Sequence, residues 1–300
     1  MNQRPSEPLP LRNFALRNFA LHTITTKPWS IETAIDNYAR AGFGGISIWR
    51  DAMEGRNPTV IRRQLADAGL VGISLVRGGF IAHREQAAQA KALDDNRRCI
   101  AEAADLGLPL IVMVCGADPS WSLPQSRTRI TEALIELAPE AAAAGIRFGI
   151  EALHPMYADS RSAINTLAQA NAMARTVNST LSAGPPGRNP GAPTVCSVVD
   201  IYHLWWDPCL EADIDAAGRD GLLAAFHVCD WRVPTEHMLL DRGLMGEGCI
   251  DIPLIRSWVE KAGFTGTGKF TEVEIFSERY WKMDQTEWLA RIAEACHTAV

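Results

Sequence analysis

The residues best equipped for chemistry stand at the ends of four short apolar runs in the second half of the chain. One run closes with Gly149-Ile150-Glu151-Ala152-Leu153-His154-Pro155 and the next with Val198-Val199-Asp200-Ile201-Tyr202-His203. A third carries Phe226-His227-Val228-Cys229-Asp230-Trp231-Arg232, and the last Glu272-Val273-Glu274-Ile275-Phe276. A single acid ending a strand is an ordinary solvated residue; a carboxylate or imidazole at each of these successive ends is harder to explain that way. Three carboxylates with one neutral imidazole make a hard-to-borderline donor set suited to a divalent ion. An ion that holds a carbonyl and its neighbouring hydroxyl stabilises the enediolate formed when the adjacent C–H loses its proton. That chemistry suits sugars.

Residues close to these ends leave alternatives. Glu272 and Glu274 are two apart, so on a strand both point to the same side and compete for one role. Asp230 can orient His227, join a second ion or pair with Arg232, and the ion pair is the plainest expectation. His154 lies just past Glu151; it is either a surface residue or, as a neutral imidazole, a group that takes a proton near pH 7. His22 lines a substrate cavity or simply packs. Trp205 and Trp206 form a sugar-stacking wall or fill the core. Segment 238–250, MLLDRGLMGEGCI, reads as a lid or substrate rim through its glycines and Arg242, or as a plain loop. His83, His237 and His297 read as surface or structural.

The elements that must carry these residues are marked by glycine. Gly42, Gly69, Gly107, Gly145 and Gly263 each follow an amphipathic stretch and precede an apolar run, as glycine does at helix C-termini. The apolar runs read as buried parallel strands near 19–24, 45–49, 71–76, 109–115, 147–152, 195–200, 224–229 and 270–276. Helical patterns cover 31–41, 58–69, 85–106, 125–144, 161–178, 251–262 and 285–298, with Ser30 as cap of the first. Strands alternating with helices fit a closed barrel or a doubly wound open sheet. No glycine-rich phosphate loop follows the first strand, so an α/β fold as a single (β/α)8 TIM barrel over 1–300 is expected. Residues 1–14 read as an N-terminal extension, and the doubled pentapeptide ending at Ala15 and Ala20 as a local duplication feeding the first strand. The Gly/Pro-rich stretch 182–194 precedes strand six, which places it on the face away from catalysis.

Composition narrows the function classes. The chain has 300 residues, 47% of them hydrophobic, and a net charge of -6 with no Lys/Arg run, which argues against nucleic acid as a partner. The polar, proline-broken start and the absence of a long apolar window argue against a signal peptide and against a membrane partner. Seven widely spaced cysteines without a C-x-x-C suggest reduced thiols and a cytoplasmic location, with Cys115 and Cys229 as core filler.

The strings GIEALHP, VVDIYHLWWDP, FHVCDWR, LMGEGCIDIPLI and FTEVEIFSERYW, in this order from about residue 15 to the end, resemble the xylose-isomerase-like sugar isomerase/epimerase superfamily. The resemblance implies a metal on Glu151, Asp200, His227 and Glu274, with the Val-Glu-Ile-Phe match favouring Glu274 over Glu272. It implies manganese first, with Mg, Co or Zn as alternatives, and Glu151 and Glu274 as the groups flanking the reacting carbon. His203 resembles a histidine that touches substrate oxygens and Arg232 a substrate-clamping arginine. The Glu-x-x-His-Pro string also resembles a branch that cleaves C-glycosides after oxidation at the sugar 3-position. There the histidine corresponding to His154 is the acid/base, and a smaller second subunit is required.

The expected activity is therefore isomerisation or epimerisation of a sugar, keto-sugar or polyol, by a homo-oligomer. The close rival is a lyase on 3-keto-glycosides, in a hetero-complex with a small subunit. A barrel endonuclease for abasic DNA shares the fold but calls for a histidine-rich multinuclear zinc site and a basic surface. An inactive metal-binding barrel is disfavoured by ligands on all four strands. With no Lys/Arg cluster in the sequence, an unphosphorylated substrate is favoured.

Overall fold

The computed structural model describes residues 16–183, 193–266 and 268–300. Eight parallel strands close on themselves: β1 (Phe19–His22), β2 (Gly45–Trp49), β3 (Val71–Gly79), β4 (Leu110–Val114), β5 (Arg147–Glu151), β6 (Val195–Asp200), β7 (Leu223–Val228) and β10 (Thr271–Val273). β10 pairs with β1 through Phe19↔Thr271 and with β7 through Glu272↔His227, which completes a (β/α)8 barrel. A two-residue antiparallel ribbon, β8 (Asp230–Trp231) with β9 (Arg242–Gly243), rises from the loop after β7.

Helices α1 (Ile31–Ala41), α2 (Pro58–Ala68), α3 (Gln86–Leu106), α4 (Leu123–Ala143), α5 (Leu167–Ser182), α7 (Leu210–Arg219), α8 (Ile252–Lys261) and α10 (Gln285–Thr298) link the barrel strands; α6 (Ile201–Leu204) and α9 (Glu278–Trp281) are single turns directly after strands. Ser30 caps α1 by accepting from the Thr33 amide, as expected. The glycines that punctuate the sequence all have left-handed backbones, with φ from 68° at Gly69 to 92° at Gly263. β4, β6 and β7 are buried along their whole length, which is why they read as uninterrupted apolar runs rather than alternating ones.

Several boundaries differ from expectation. β3 continues past Val76 to Gly79, where a Cβ would stand 2.0 Å from the Val114 carbonyl oxygen; the Gly78-Gly79 pair lets the strand run against β4 instead of turning. The expected helix from 161 starts only at Leu167, because residues 161–163 bridge back to the end of β4 through Gly116 N–H to Arg161 O and Ala163 N–H to Gly116 O. α7 was not expected at all, although Leu210, Ile214 and Ala217 form its buried stripe. The last strand is shorter than 270–276, but its line continues, since Glu274 N–H still donates to Val228 O. The N-terminal extension, the first copy of the doubled pentapeptide, and positions 184–192 of the Gly/Pro-rich stretch lie outside the described residues. All seven cysteines are unpaired, and Cys115 and Cys229 are fully buried. Among the described residues, no helix is long and apolar enough to cross a membrane.

Candidate metal centre

Glu151 ends β5, Asp200 ends β6, His227 is the penultimate residue of β7 and Glu274 follows β10. Parallel register sets Asp200 beside His227 and His227 beside Glu272, so the inward residues of neighbouring strands meet at the carboxyl end of the barrel. One donor atom from each of Glu151, Asp200, His227 and Glu274 lies within 4.8 Å of the others, and none of the four is more than 5% exposed. His227 Nδ1 stands 3.2 Å from Glu151 Oε1. These residues can hold a metal ion.

The period-two expectation for the last strand holds for both glutamates, which are buried at different depths in the barrel. Glu274 joins the four-residue group. Glu272 accepts from Ser47 Oγ at 2.5 Å and faces His22 Nε2 at 3.3 Å, while His22 Nδ1 reaches Glu274 Oε1 at 2.9 Å. His22, His227 and Glu272 form an overlapping group that shares His227. His227 Nε2 faces Glu272 at 3.9 Å, beyond hydrogen-bond range, and has no other partner. His22 is thus fully buried between two glutamates rather than on a cavity wall.

The electrostatics fit a bound cation. Burying several carboxylates together is costly unless positive charge accompanies them. Burial and the nearby Glu151 and Glu274, opposed by Arg242, push the Asp200 carboxyl up to about 7. Burial works against a charged His227, but Glu151, Glu272 and Glu274 outweigh it and raise the imidazole to about 10. His22 is raised too: burial opposes, and Glu274 prevails. Protons and one arginine here supply the charge a divalent ion would bring.

That arginine is Arg242 on β9, buried to 3% exposure. Its Nη1 lies 3.3 Å from Asp200 Oδ2 and 3.0 Å from Glu274 Oε2, and its Nη2 donates to His203 Nε2 at 3.1 Å. The guanidinium stacks on Tyr202 at 4.4 Å and Phe276 at 4.9 Å. Burial and the Arg242 charge hold His203 well below the usual histidine range, so its ring is neutral and its Nδ1 carries the proton. Arg232, in contrast, is engaged by Asp241 and does not reach these carboxylates.

Asp230 departs from the expected pair with Arg232. Its Oδ1 accepts from the amides of Trp231 and Ile250, and its Oδ2 from Gly246 and Gly248, all within 3.0 Å. The carboxylate organises the backbone of the loop that follows Arg242 and leaves none of its bonds for His227 or an ion.

A small cavity of ≈ 20 Å³ above the carboxylates is walled by Glu151, His203, Arg242, Glu274, Trp49, Val114, Leu153, Tyr157, Arg161, Leu239 and Phe276. It is far below the roughly 300 Å³ of the smallest typical ligand pockets. A strap over residues 232–241 covers it: Tyr157 and Tyr202 hydroxyls both donate to the Met238 carbonyl, at 2.7 and 2.8 Å. Part of the segment suspected of being a lid is this cover. Two larger open clefts, ≈ 480 and ≈ 420 Å³, lie by the loops after β2 and β1 and contain none of Glu151, Asp200, His227 and Glu274.

His154 is half-buried and is not a wall residue of the cavity. Its ring stacks on Trp231 with centroids 5.1 Å apart, and its Nδ1 accepts from the Met156 amide at 3.2 Å. Burial lowers its pKa, so it is neutral at pH 7 with the proton on Nε2. Trp205 packs on Trp231 (5.7 Å between centroids) and against the core, away from the cavity. The aromatic walls are instead Trp49, Tyr157 and Phe276, and Trp49 Nε1 donates to Glu274 Oε1 at 3.3 Å. Trp49 escaped notice although it too ends a strand. Arg161 escaped notice because nothing local marks it.

The family model described as xylose isomerase-like TIM barrel matches residues 35–293. Protein SMc04130 from Sinorhizobium meliloti 1021 is 36% identical, with a TM-score of 0.86 over 95% of this chain and 98% of that one. The IolI protein solved with a zinc atom superposes with a TM-score of 0.77 at 17% identity, covering 93% of this chain and 96% of that one. A D-psicose 3-epimerase solved in the presence of D-fructose gives a TM-score of 0.69 at 18% identity, over 93% and 96%. The last two share the fold. No curated protein matches by sequence. A match spanning most of the barrel, and a relative at this identity over nearly its whole length, assign the chain to the xylose isomerase-like TIM barrel family.

Proposed function

We propose that this chain is a divalent-metal-dependent isomerase or epimerase of a sugar, keto-sugar or polyol, acting by proton abstraction next to a carbonyl. The observation that carries it is the set of four buried donors on four strand ends, within 4.8 Å of one another and short of positive charge. The names of the fold neighbours, a zinc-bound IolI and a D-psicose 3-epimerase, lean the same way.

Glu151, Asp200, His227 and Glu274 hold the ion; manganese is our first assignment, and Mg, Co and Zn suit the same donors. When bound, the ion supplies Lewis-acid stabilisation of the charge developing on neighbouring substrate oxygens. Glu151 and Glu274 flank the reacting carbon, so one removes the proton and the other returns it. Arg242 turns its guanidinium from the carboxylates towards the substrate oxygens, and neutral His203, with its unpartnered Nδ1–H, donates to one of them. The strap over 232–241 opens to admit substrate and closes to keep water out. His154, with its proton on Nε2, serves proton transfer from the aromatic side of the mouth.

Deuterium wash-in from heavy water, measured on the manganese-loaded protein with ketoses, an inosose and a 3-keto-C-glycoside, tests this reading. Exchange at the carbon next to the carbonyl, with epimer or isomer formed, is expected. Absence of exchange in every substrate, or aglycone release without epimer, refutes it; the second result points to the lyase.

A further inference from the structure

Neither the Arg77 nor the Arg161 guanidinium makes a hydrogen bond or ion pair with any described residue. Their guanidiniums lie on aromatic faces. Arg77 Cζ lies 4.2 Å from the Phe80 ring centroid, and Arg161 Cζ lies 6.0 Å from the same ring and 5.7 Å from that of Tyr157. Phe80 packs on Val114, Leu153 and Tyr157, three walls of the cavity above the carboxylates, and Arg161 is itself a wall.

Arg161 and the Phe80 ring are held there by backbone. Arg161 is fixed by Gly116 N–H to its carbonyl and by its own N–H to Tyr157 O. Phe80 adopts φ 51°, a conformation that costs a bulky side chain energy, with its amide bonded to Val114 O. Arg77 is half-buried, and burial together with the Arg161 charge lowers it to about 10. Two like charges in a partly dry setting are unfavourable; the acidic group that acts on Arg77 is Asp95, which Arg50 and Arg98 already engage, and an anion shared by the two guanidiniums relieves the repulsion. The other arginines around the mouth are already engaged: Arg242 by Asp200 and Glu274, Arg232 by Asp241, and Arg50 by Asp95 and Glu102.

We propose that Arg77 and Arg161 form an anion subsite beside the metal centre, so that the substrate is a keto-sugar bearing a carboxylate or a phosphate at the end away from its carbonyl. The carbonyl end rests on the isomerase reading; the anion subsite stands without it. Planar guanidiniums bind both anions through paired N–H donors. The sequence favours an unphosphorylated substrate because it has no Lys/Arg cluster, but these two arginines approach one ring only when β3 and the turn after β5 meet.

Calorimetric titration of the manganese-loaded full chain with D-fructose, D-fructose 6-phosphate and 5-keto-D-gluconate tests the subsite, and the last two probes separate phosphate from carboxylate. One anionic probe is expected to bind at least ~10-fold more tightly than D-fructose. Arg161→Gln and Arg77→Gln, made separately, are each expected to cut that preference to under ~3-fold, the scale of one lost charge-assisted hydrogen bond. Arg98→Gln, on the exposed face of α3, keeps it. Failure of both anions to out-compete D-fructose, or a preference that survives both mouth variants, overturns the proposal. Deuterium exchange run on the same three sugars keeps the two readings apart. Arginine-dependent binding without exchange defeats the isomerase alone; exchange without anion preference defeats the subsite alone.

Discussion

Replacing Arg242 by Met should weaken the metal-free protein much more than the metal-loaded one. Among the described residues, Arg242 is the only guanidinium that contacts the carboxylates of Asp200 and Glu274, at 3.3 Å and 3.0 Å. It is 3% exposed, so solvent cannot take its place. Methionine keeps the stem between Tyr202 and Phe276 but removes the guanidinium charge that faces Asp200 and Glu274. Breaking a buried pair in this way costs about 3–5 kcal/mol. At roughly 2 °C per kcal/mol for a chain of this size, the variant should melt about 6–10 °C below the parent in EDTA. A divalent ion restores positive charge at the same carboxylates, so with saturating manganese the deficit should fall to less than half. Differential scanning calorimetry with and without the ion reads both quantities. A variant that melts within about 2 °C of the parent in EDTA, or a deficit of equal size in both conditions, would falsify the view that Arg242 compensates for the missing cation.

Four further outcomes are expected. Glu151→Ala and Asp200→Ala should each lose bound metal by elemental analysis while keeping the far-ultraviolet dichroism of the parent; full metal content in both removes them from the site. Metal binding should release protons and tighten from pH 6 to pH 9. His227, raised to about 10, stabilises the metal-free fold below its ordinary pKa and loses that contribution as pH climbs through 10, and Asp200, raised to about 7, is costly to ionise; the ion displaces both protons. Calorimetry in buffers of different ionisation heat measures the release, and a value of zero contradicts the assignment. His154→Ala should lower turnover by on the order of 10²-fold with metal retained, and unchanged turnover returns His154 to an aromatic-packing role. Asp230→Asn turns an amide group towards backbone donors and should cost about 2–4 kcal/mol in urea denaturation without altering metal content; an unchanged midpoint would show that the loop does not depend on the carboxylate.

The clustering of Glu151, Asp200, His227 and Glu274 was legible because each stands at or next to the end of a strand whose apolar run announces itself, and barrel geometry brings strand ends together. Depth was not legible. Glu272 and Glu274 look alike in sequence, and only the register Ala20↔Glu272 and Glu272↔His227 sets the first beside His22 and Ser47. Asp230 was misread because its partners are amides of residues 246–250, which carry no side-chain signature. Arg232 and Arg242 both sit near the ribbon, and the antiparallel pairing of β8 with β9 decides which of them turns inward. α7 was overlooked because its stripe of Leu210, Ile214 and Ala217 is only ten residues long and follows a Trp-Trp-Asp-Pro segment that reads as loop.

The four-amide grip of Asp230 has a consequence for how this barrel can diverge. A loop fastened through backbone N–H groups places almost no demand on which side chains it carries. The demand falls on its glycines: at Gly248 a Cβ would meet the Trp231 carbonyl oxygen at 2.2 Å, and Gly246 holds φ 88°. Between them and Ile250, Glu247 and Cys249 are exposed. Substitution at Cys249 can therefore accumulate without loosening the ribbon that carries Arg242. Lineages sharing this anchor can drift in the chemistry of the rim while the arginine beside the carboxylates stays where it is.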